Sequence, residues 1–257
     1  MLEKELESVR VADRSDIRPA ALALKAAVER RLPDFRIATC ADLASNTAMC
    51  DADDQLLATT VFDWTERGED RWWRVNRLAL VSPLVEACRY EGEPLWCNAS
   101  GFHTHLPNPL INRIDLADFH RRSLAQAAIV IPVHMPFGVI GAASVVPRDP
   151  RKTDLSEEFA AHSDAIGQLC RSFIITYSQV MARPERLPSG GTLSKREVQC
   201  LRWAAVGKTD LEIGMIISRS RATIRFHIHN AATKLNAVNR SQAVFKAAQL
   251  GYISHMA

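Results

Sequence analysis

Apolar positions recur along this chain at two periods, and the change of period divides it. Leu155, Phe159, Ile166, Leu169, Phe173, Tyr177 and Val180 follow one another at steps of three, four or seven, which predicts one long amphipathic helix. Asp154 is placed to cap it, with Glu157 as the capping-box partner. Its stripe could pack on its own domain or form a seam with a second copy. Ala20–Arg31, Ala79–Tyr90 and Asp115–Ala127 also have helical spacing, with Pro83 in a first turn. Phe35–Cys40, Leu56–Phe62, Ala127–His134 and Val139–Val146 are rich in Val, Ile, Ala and Thr and predict strands. The last two are joined by the hairpin-length Met135–Gly138. Helices flanking an antiparallel sheet make this region an α/β/α sandwich of the α+β class.

From Leu193 onward the pattern is almost wholly helical. Ser194 with Glu197 is a capping box, Val198, Leu201 and Ala205 form one apolar face, and Gly207 closes the helix. Thr209 or Asp210 opens a second helix, with Ile213 and Ile217 inward. A third runs from Arg221 to about Leu235 on Ile224, Ile228, Ala231 and Leu235, and Gln242–Gly251 gives a fourth. Two short helices, a turn and a basic outward-facing helix predict an all-α, four-helix module of the helix-turn-helix kind. Between the two regions, 183–191 holds two prolines, a serine and two glycines, which cannot continue a helix. The expected domains are therefore 1–182 and 192–257, with 183–191 as linker.

Charge sharpens that division. Residues 191–257 carry 10 Lys and Arg against 3 Asp and Glu, so a chain of net charge +3 concentrates its positive charge in the small module. A basic module on a mildly acidic body points to a polyanionic partner for the module alone. The six cysteines show no CxxC spacing, which reads as reduced thiols in a cytoplasmic protein. No apolar run is long enough to span a membrane, and the charged N-terminus is no secretory signal. No nucleophile–base pair, phosphate loop or paired-carboxylate site suggests an enzyme, and no cofactor is expected.

The combination Leu193-Ser-x-Arg-Glu197, Gly207-Lys-Thr209, Glu212-Ile213, Ser220-x-x-Thr223-Ile224-x-x-His227, Lys234-Leu235 and Asn239-Arg240-x-Gln-Ala243 resembles the DNA-binding domain of LuxR-type regulators. The resemblance implies that the third helix enters the major groove of double-stranded DNA, its N-terminus capped by Ser220 and Thr223. Arg225 is then the candidate for bidentate reading of guanine, and His229 for a base or phosphate. His227 is a further outward position. Lys208, Thr209, Arg221 and Lys234 are candidates for phosphate contacts, which position without specifying. Arg219 departs from the family, which usually has an apolar residue at that turn position.

The N-terminal region resembles the autoinducer-binding domain of quorum-sensing LuxR regulators. Ser82-Pro83 followed by Trp96 is similar to the family's Asp-Pro and pocket tryptophan. Trp73 falls where the family has a pocket tyrosine, Ile131-Pro132 and Gly138 match a strand–turn–strand, and Ser144 falls where a hydroxyl faces the ligand. Three departures change the chemistry. Ser82 replaces a carboxylate that accepts the ligand's amide proton, Trp73 replaces a phenol, and Ala128 replaces a glycine. Together with the aromatic segment Phe62, Trp64, Trp72, Trp73, Trp96 and Phe102, these imply a small apolar or aromatic signal other than a standard acyl-homoserine lactone. Trp72 and Trp73 are adjacent, so at most one lines a pocket. The expected protein is a homodimeric, ligand-responsive DNA-binding transcription regulator. The alternatives are a ligand-independent dimer, a true lactone receptor with an altered pocket, and a protein-interaction domain. His103-Thr-His105 lacks a third ligand and is not expected to bind metal.

Overall fold

The computed structural model describes residues 1–45, 47–64, 80–181 and 192–254. Contacts divide the chain into an N-terminal and a C-terminal unit at 182/183.

The N-terminal unit contains helices α1 (Leu2–Ser8) and α2 (Ile17–Arg31), strand β1 (Phe35–Cys40), and helices α3 (Leu57–Thr60) and α4 (Pro83–Tyr90). Strands β2 (Leu95–Asn98) and β3 (Gly101–Thr104), the short α5 (Phe119–Ser123), strands β4 (Ala127–His134) and β5 (Ile140–Pro147), and the long α6 (Ser156–Met181) follow. The five strands form one antiparallel sheet in the order β1-β5-β4-β2-β3.

Strand alternation gives this sheet two buried faces. Phe35, Ile37, Ile129, Ile131, Ala143 and Val145 pack against α2 and α6. Those helices contribute Leu24 and Val28, and Ile166, Leu169, Phe173 and Ile174. Leu95, Cys97, Ala128, Val130, Ala142 and Val146 face the other way, onto Leu84, Val85 and Cys88 of α4. Each large side chain buried in these layers contributes about 1.5–3 kcal/mol, so two filled faces give the unit its α/β/α sandwich. Glu5 of α1 is buried and pairs with Arg30 and with Arg31, the latter at 2.5 Å, which ties α1 to the end of α2.

Several local expectations are corrected. Residues 56–62 form no strand but the single helical turn α3, with Leu57, Val61 and Phe62 buried; so short an apolar run fits either element. Between Asp115 and Ala127 only Phe119–Ser123 is helical, because Asp118 (φ 52°) and Leu124 (φ 56°) are left-handed on either side. Helix α4 starts at Pro83 with Ser82 as its N-cap residue, and Ala79 lies outside the described residues. Helix α6 begins at Ser156, whose N–H donates to the Asp154 carboxylate at 2.9 Å. Its stripe is buried in its own core, Phe159, Ile166, Phe173 and Tyr177 included, so it is no free seam for a second copy.

The C-terminal unit contains α7 (Lys195–Ala205), α8 (Asp210–Ile216), α9 (Arg221–Lys234) and α10 (Arg240–Gln249). Leu201, Ala231, Leu235, Ala243 and Ala247 form one apolar cluster, and Cys200, Ile213, Ile224 and Ile228 another. Side chains cap every helix start: Ser194 and Thr209 in full capping boxes, Ser220 and Asn239 by single bonds. Gly207 follows α7 at φ +91°, a left-handed position natural to glycine. No helix among the described residues is long and apolar enough to cross a membrane.

Candidate nucleic-acid interface and ligand cavity

Helices α8 and α9 are joined by a turn with little room. A Cβ on Gly214 would sit 2.6 Å from the Arg219 carbonyl oxygen, so only glycine lets the turn approach α8 this closely. The Arg219 N–H donates to the Gly214 carbonyl at 2.8 Å, and Ser218 turns the chain at φ 53°. Ser220 then accepts the Thr223 N–H at 3.1 Å, and the two hydroxyls lie 2.9 Å apart. This cap sets the direction of the first turn of α9.

Ile224, Ile228 and Ala231 hold α9 to the unit's core. Arg221, Arg225 and His229 are exposed, while Thr223 and His227 are half-buried. The helix contains no Asp or Glu, so its outer face presents cations without an internal competitor. That arrangement suits a phosphate-lined groove.

Two of the expected phosphate contacts, Lys234 and Thr209, have partners within the unit. The Lys234 ammonium lies 2.9 and 3.1 Å from the two Glu197 carboxylate oxygens and 3.3 Å from the Thr192 carbonyl. It is committed to an internal clamp between α7 and the end of α9. Burial pushes the Glu197 carboxyl up, but bonds from Lys234 and the Ser194 N–H outweigh it and hold the group below its ordinary value. The Thr209 hydroxyl is engaged with Glu212, donating to its carboxylate at 2.8 Å. Lys208 is exposed enough to reach outward, although its ammonium stands 3.5 Å from Glu212. A second clamp escaped the sequence reading: the Arg240 guanidinium binds the Asp210 carboxylate and the Lys208 carbonyl. Phe226, exposed beside Arg225, was also missed.

The N-terminal unit contains a cavity of about 150 Å³ between the sheet and α4. Its floor is built from small side chains: Ala38 and Cys40 of β1, Val130 of β4, and Ala142, Ser144 and Val146 of β5. Register explains the grouping, because Ser144 lies opposite Ala38 on one side and Val130 on the other. Leu84, Val85 and Cys88 of α4 form the roof, and Met49, Leu57 and Trp64 close the side. None of the described lining residues is charged. The Ser144 hydroxyl makes no hydrogen bond to the described residues, so it can offer a ligand one donor and two acceptor lone pairs. Trp64 is fixed in place: its indole N–H donates to the Ile37 carbonyl at 2.5 Å, and Arg36 stacks over its ring at 4.3 Å. Burial pushes the two cavity thiols up, Cys40 to about 11 and Cys88 to about 12, so both stay neutral and act as apolar lining.

Of the expected ligand residues, Ser144 lines this cavity. Ala128 lies on the same sheet face, fully buried, and Phe102 packs at the edge of the same core. Ser82 is fully buried at the head of α4 with its hydroxyl unpartnered among the described residues, but it is not a lining residue. Trp96 is a correction. On β2, Leu95 and Cys97 face α4, so Trp96 points to the opposite core and stacks on His103 with centroids 3.9 Å apart. A period of two sends neighbouring residues to opposite faces, and the spacing argument was one residue out. Phe62 likewise belongs to the opposite core. Trp72 and Trp73 lie outside the described residues. The lining residues Cys40, Leu84, Val85 and Cys88 carried no sequence signal beyond apolarity. His105 stacks on Phe159 and lies 3.1 Å from the Ser163 hydroxyl. No cluster of three or more potential metal ligands occurs among the described residues.

Comparison with known proteins bears on both units. Residues 191–247 match the family described as bacterial regulatory proteins, luxR family. The transcriptional activator protein VanR of Vibrio anguillarum is 40% identical over 131 residues, covering 50% of this chain and 52% of that protein. The HTH-type quorum sensing-dependent transcriptional regulator VjbR of Brucella ovis is 34% identical over 138 residues, 54% of this chain and 52% of the relative. These matches span about half the length of the curated relatives, and each is too long to lie within the C-terminal unit alone. Escherichia coli SdiA aligns over 91% of this chain and 92% of its own, at 19% identity and a TM-score of 0.43. With its capped α8–turn–α9 and its match over 191–247, the C-terminal unit is a helix-turn-helix domain of the luxR family of bacterial regulatory proteins.

Proposed function

We propose that this protein is a ligand-responsive transcription regulator. Its C-terminal unit binds double-stranded DNA, and its N-terminal unit takes up a small neutral signal, apolar or aromatic, other than a standard acyl-homoserine lactone. The observation that carries the signal part is the cavity on the α4 face of the sheet. It holds about 150 Å³, has no charged side chain among its described lining residues, and offers the hydroxyl of Ser144, which is unpaired among the described residues. An apolar cavity of that size accepts a ligand of roughly one aromatic ring. Ser82, at the position where the family resemblance implies a carboxylate acceptor for a ligand amide, is neutral and does not line the cavity, so the described lining residues offer a ligand amide no carboxylate. The likeness to VjbR, a quorum sensing-dependent regulator, supports a diffusible small molecule.

On DNA, Arg225 is the base-reading residue, His229 its neighbour on the same face, and Arg221 and Lys208 phosphate contacts. Two copies act together, because paired half-sites give the affinity that one module lacks. Ligand binding shifts the population between DNA-competent and incompetent arrangements.

A thermal-shift screen of the full chain tests the signal. A compound that binds only the native state raises its melting temperature. The proposal expects a shift of several degrees with small aryl compounds and none with acyl-homoserine lactones of graded chain length. A shift with a lactone would make the protein a lactone receptor with an altered pocket. No shift with any compound would favour a ligand-independent dimerisation module.

A further inference from the structure

We propose that Phe226 reads a thymine methyl group in the major groove and is a second specificity determinant beside Arg225. The inference rests on the DNA-binding reading above. At about 100° per residue, Ala222, Phe226, His229 and Thr233 lie on the side of α9 opposite Ile224, Ile228 and Ala231. All four are exposed, and Phe226 is 61% exposed at the middle of that line. A scattered surface apolar residue needs no explanation. Phe226 is not of that kind, because it sits at the centre of the outward face of a helix that has no acidic residue and carries Arg221 and Arg225 along one flank.

Such a face is complementary in charge to a phosphate-lined groove. Its central apolar group must then meet what the groove offers. In the major groove the apolar feature of the base edges is the C5-methyl of thymine, and phenylalanine is among the side chains that contact it. Ala222, one turn toward the N-terminus, is small and lets the helix come close. The His227 ring meets Phe226 edge-on with centroids 5.8 Å apart, which restrains the phenyl ring without covering it. Arg225 would supply a hydrogen-bonded contact and Phe226 an apolar one at adjacent base pairs.

The test starts from a duplex selected by the full chain out of a random pool. Each thymine is replaced in turn by deoxyuridine, which removes only the methyl group. The inference expects one thymine per half-site whose replacement weakens wild-type binding by about fourfold, the effect of uncovering roughly one methyl. Phe226→Ala should lose a similar factor on the thymine duplex and become indifferent to that replacement. Phe226→Leu should keep the sensitivity. Unchanged melting temperature and unchanged affinity for random DNA show that the variants remain folded. The inference is overturned if Phe226→Ala binds the selected duplex like wild type, or stays sensitive to the same deoxyuridine. A Phe226→Ala protein that binds every duplex normally but loses a protein partner would identify a protein contact instead. Failure to select any sequence would overturn the DNA reading itself, and this inference with it.

Discussion

Gly214→Ala sets two effects of opposite sign against each other. Gly214 lies within α8, where replacing glycine by alanine would stabilise the helix by about 1 kcal/mol on propensity alone. The added Cβ, however, would stand 2.6 Å from the Arg219 carbonyl oxygen, where ordinary contact begins at 3.4 Å. The turn would have to retreat by about 0.8 Å, and the opposing atom is backbone, which cannot rotate aside. Overpacking of this kind costs about 1–3 kcal/mol, and a backbone obstacle belongs at the upper end. A net loss of about 1–2 kcal/mol is expected. The retreating segment carries the Ser220 cap of α9, so DNA affinity should fall with stability. Hydrogen exchange of peptides from α8 and α9 in the full chain measures the local loss. Gly167→Ala in α6 is the control, because its Cβ meets only the Pro94 ring carbon, at 3.0 Å; it should change little. Equal or greater protection in Gly214→Ala would refute the steric argument.

Three further outcomes follow from the same geometry. Lys234→Met strands the buried Glu197 carboxylate and should destabilise the C-terminal unit by about 2 kcal/mol in urea denaturation, while Lys234→Arg restores most of it. Because Glu197 titrates below its ordinary value in the folded unit, its contribution is complete above the ordinary glutamate range and is lost as pH falls through the folded value. Urea midpoints should therefore drop more steeply below about pH 4.5 in wild type than in Glu197→Gln. Ser144→Phe should fill the cavity and abolish ligand-induced stabilisation without changing affinity for a selected duplex; an undiminished thermal shift would place the ligand elsewhere.

The parts of this structure legible in the sequence are those fixed by near neighbours. Ser194 with Glu197 is a capping box in the sequence and in the structure, because the partners lie three residues apart, and of the two residues offered for the start of the second helix Thr209 is the cap. Strands β4 and β5 were legible from nearly continuous apolar runs buried on both faces, and β1 from its Phe, Ile, Ala and Thr content, with only Phe35 and Ile37 buried. Strands β2 and β3 have four residues each, too few for a period to register. Side-chain direction was harder than element type. Trp96 was placed in the pocket by spacing to Ser82, yet one residue of register turns it into the opposite core. Lys234 looked free for phosphate because its partner Glu197 is 37 residues away. The cavity could not be read at all: its floor comes from three strands that are neighbours only once the sheet has formed.

The central claim is that the chain recognises a DNA sequence through α9. The most direct measurement is an anisotropy titration of the full chain, wild type and Arg225→Ala, on a selected duplex and on a scrambled one at several salt concentrations. The account predicts that wild type binds the selected duplex at least about 10³-fold more tightly than the scrambled one. Arg225→Ala should lose about 1–3 kcal/mol on the selected duplex while binding scrambled DNA much as before. Equal affinity of the wild type for both duplexes, or an equal loss on both in Arg225→Ala, would contradict it.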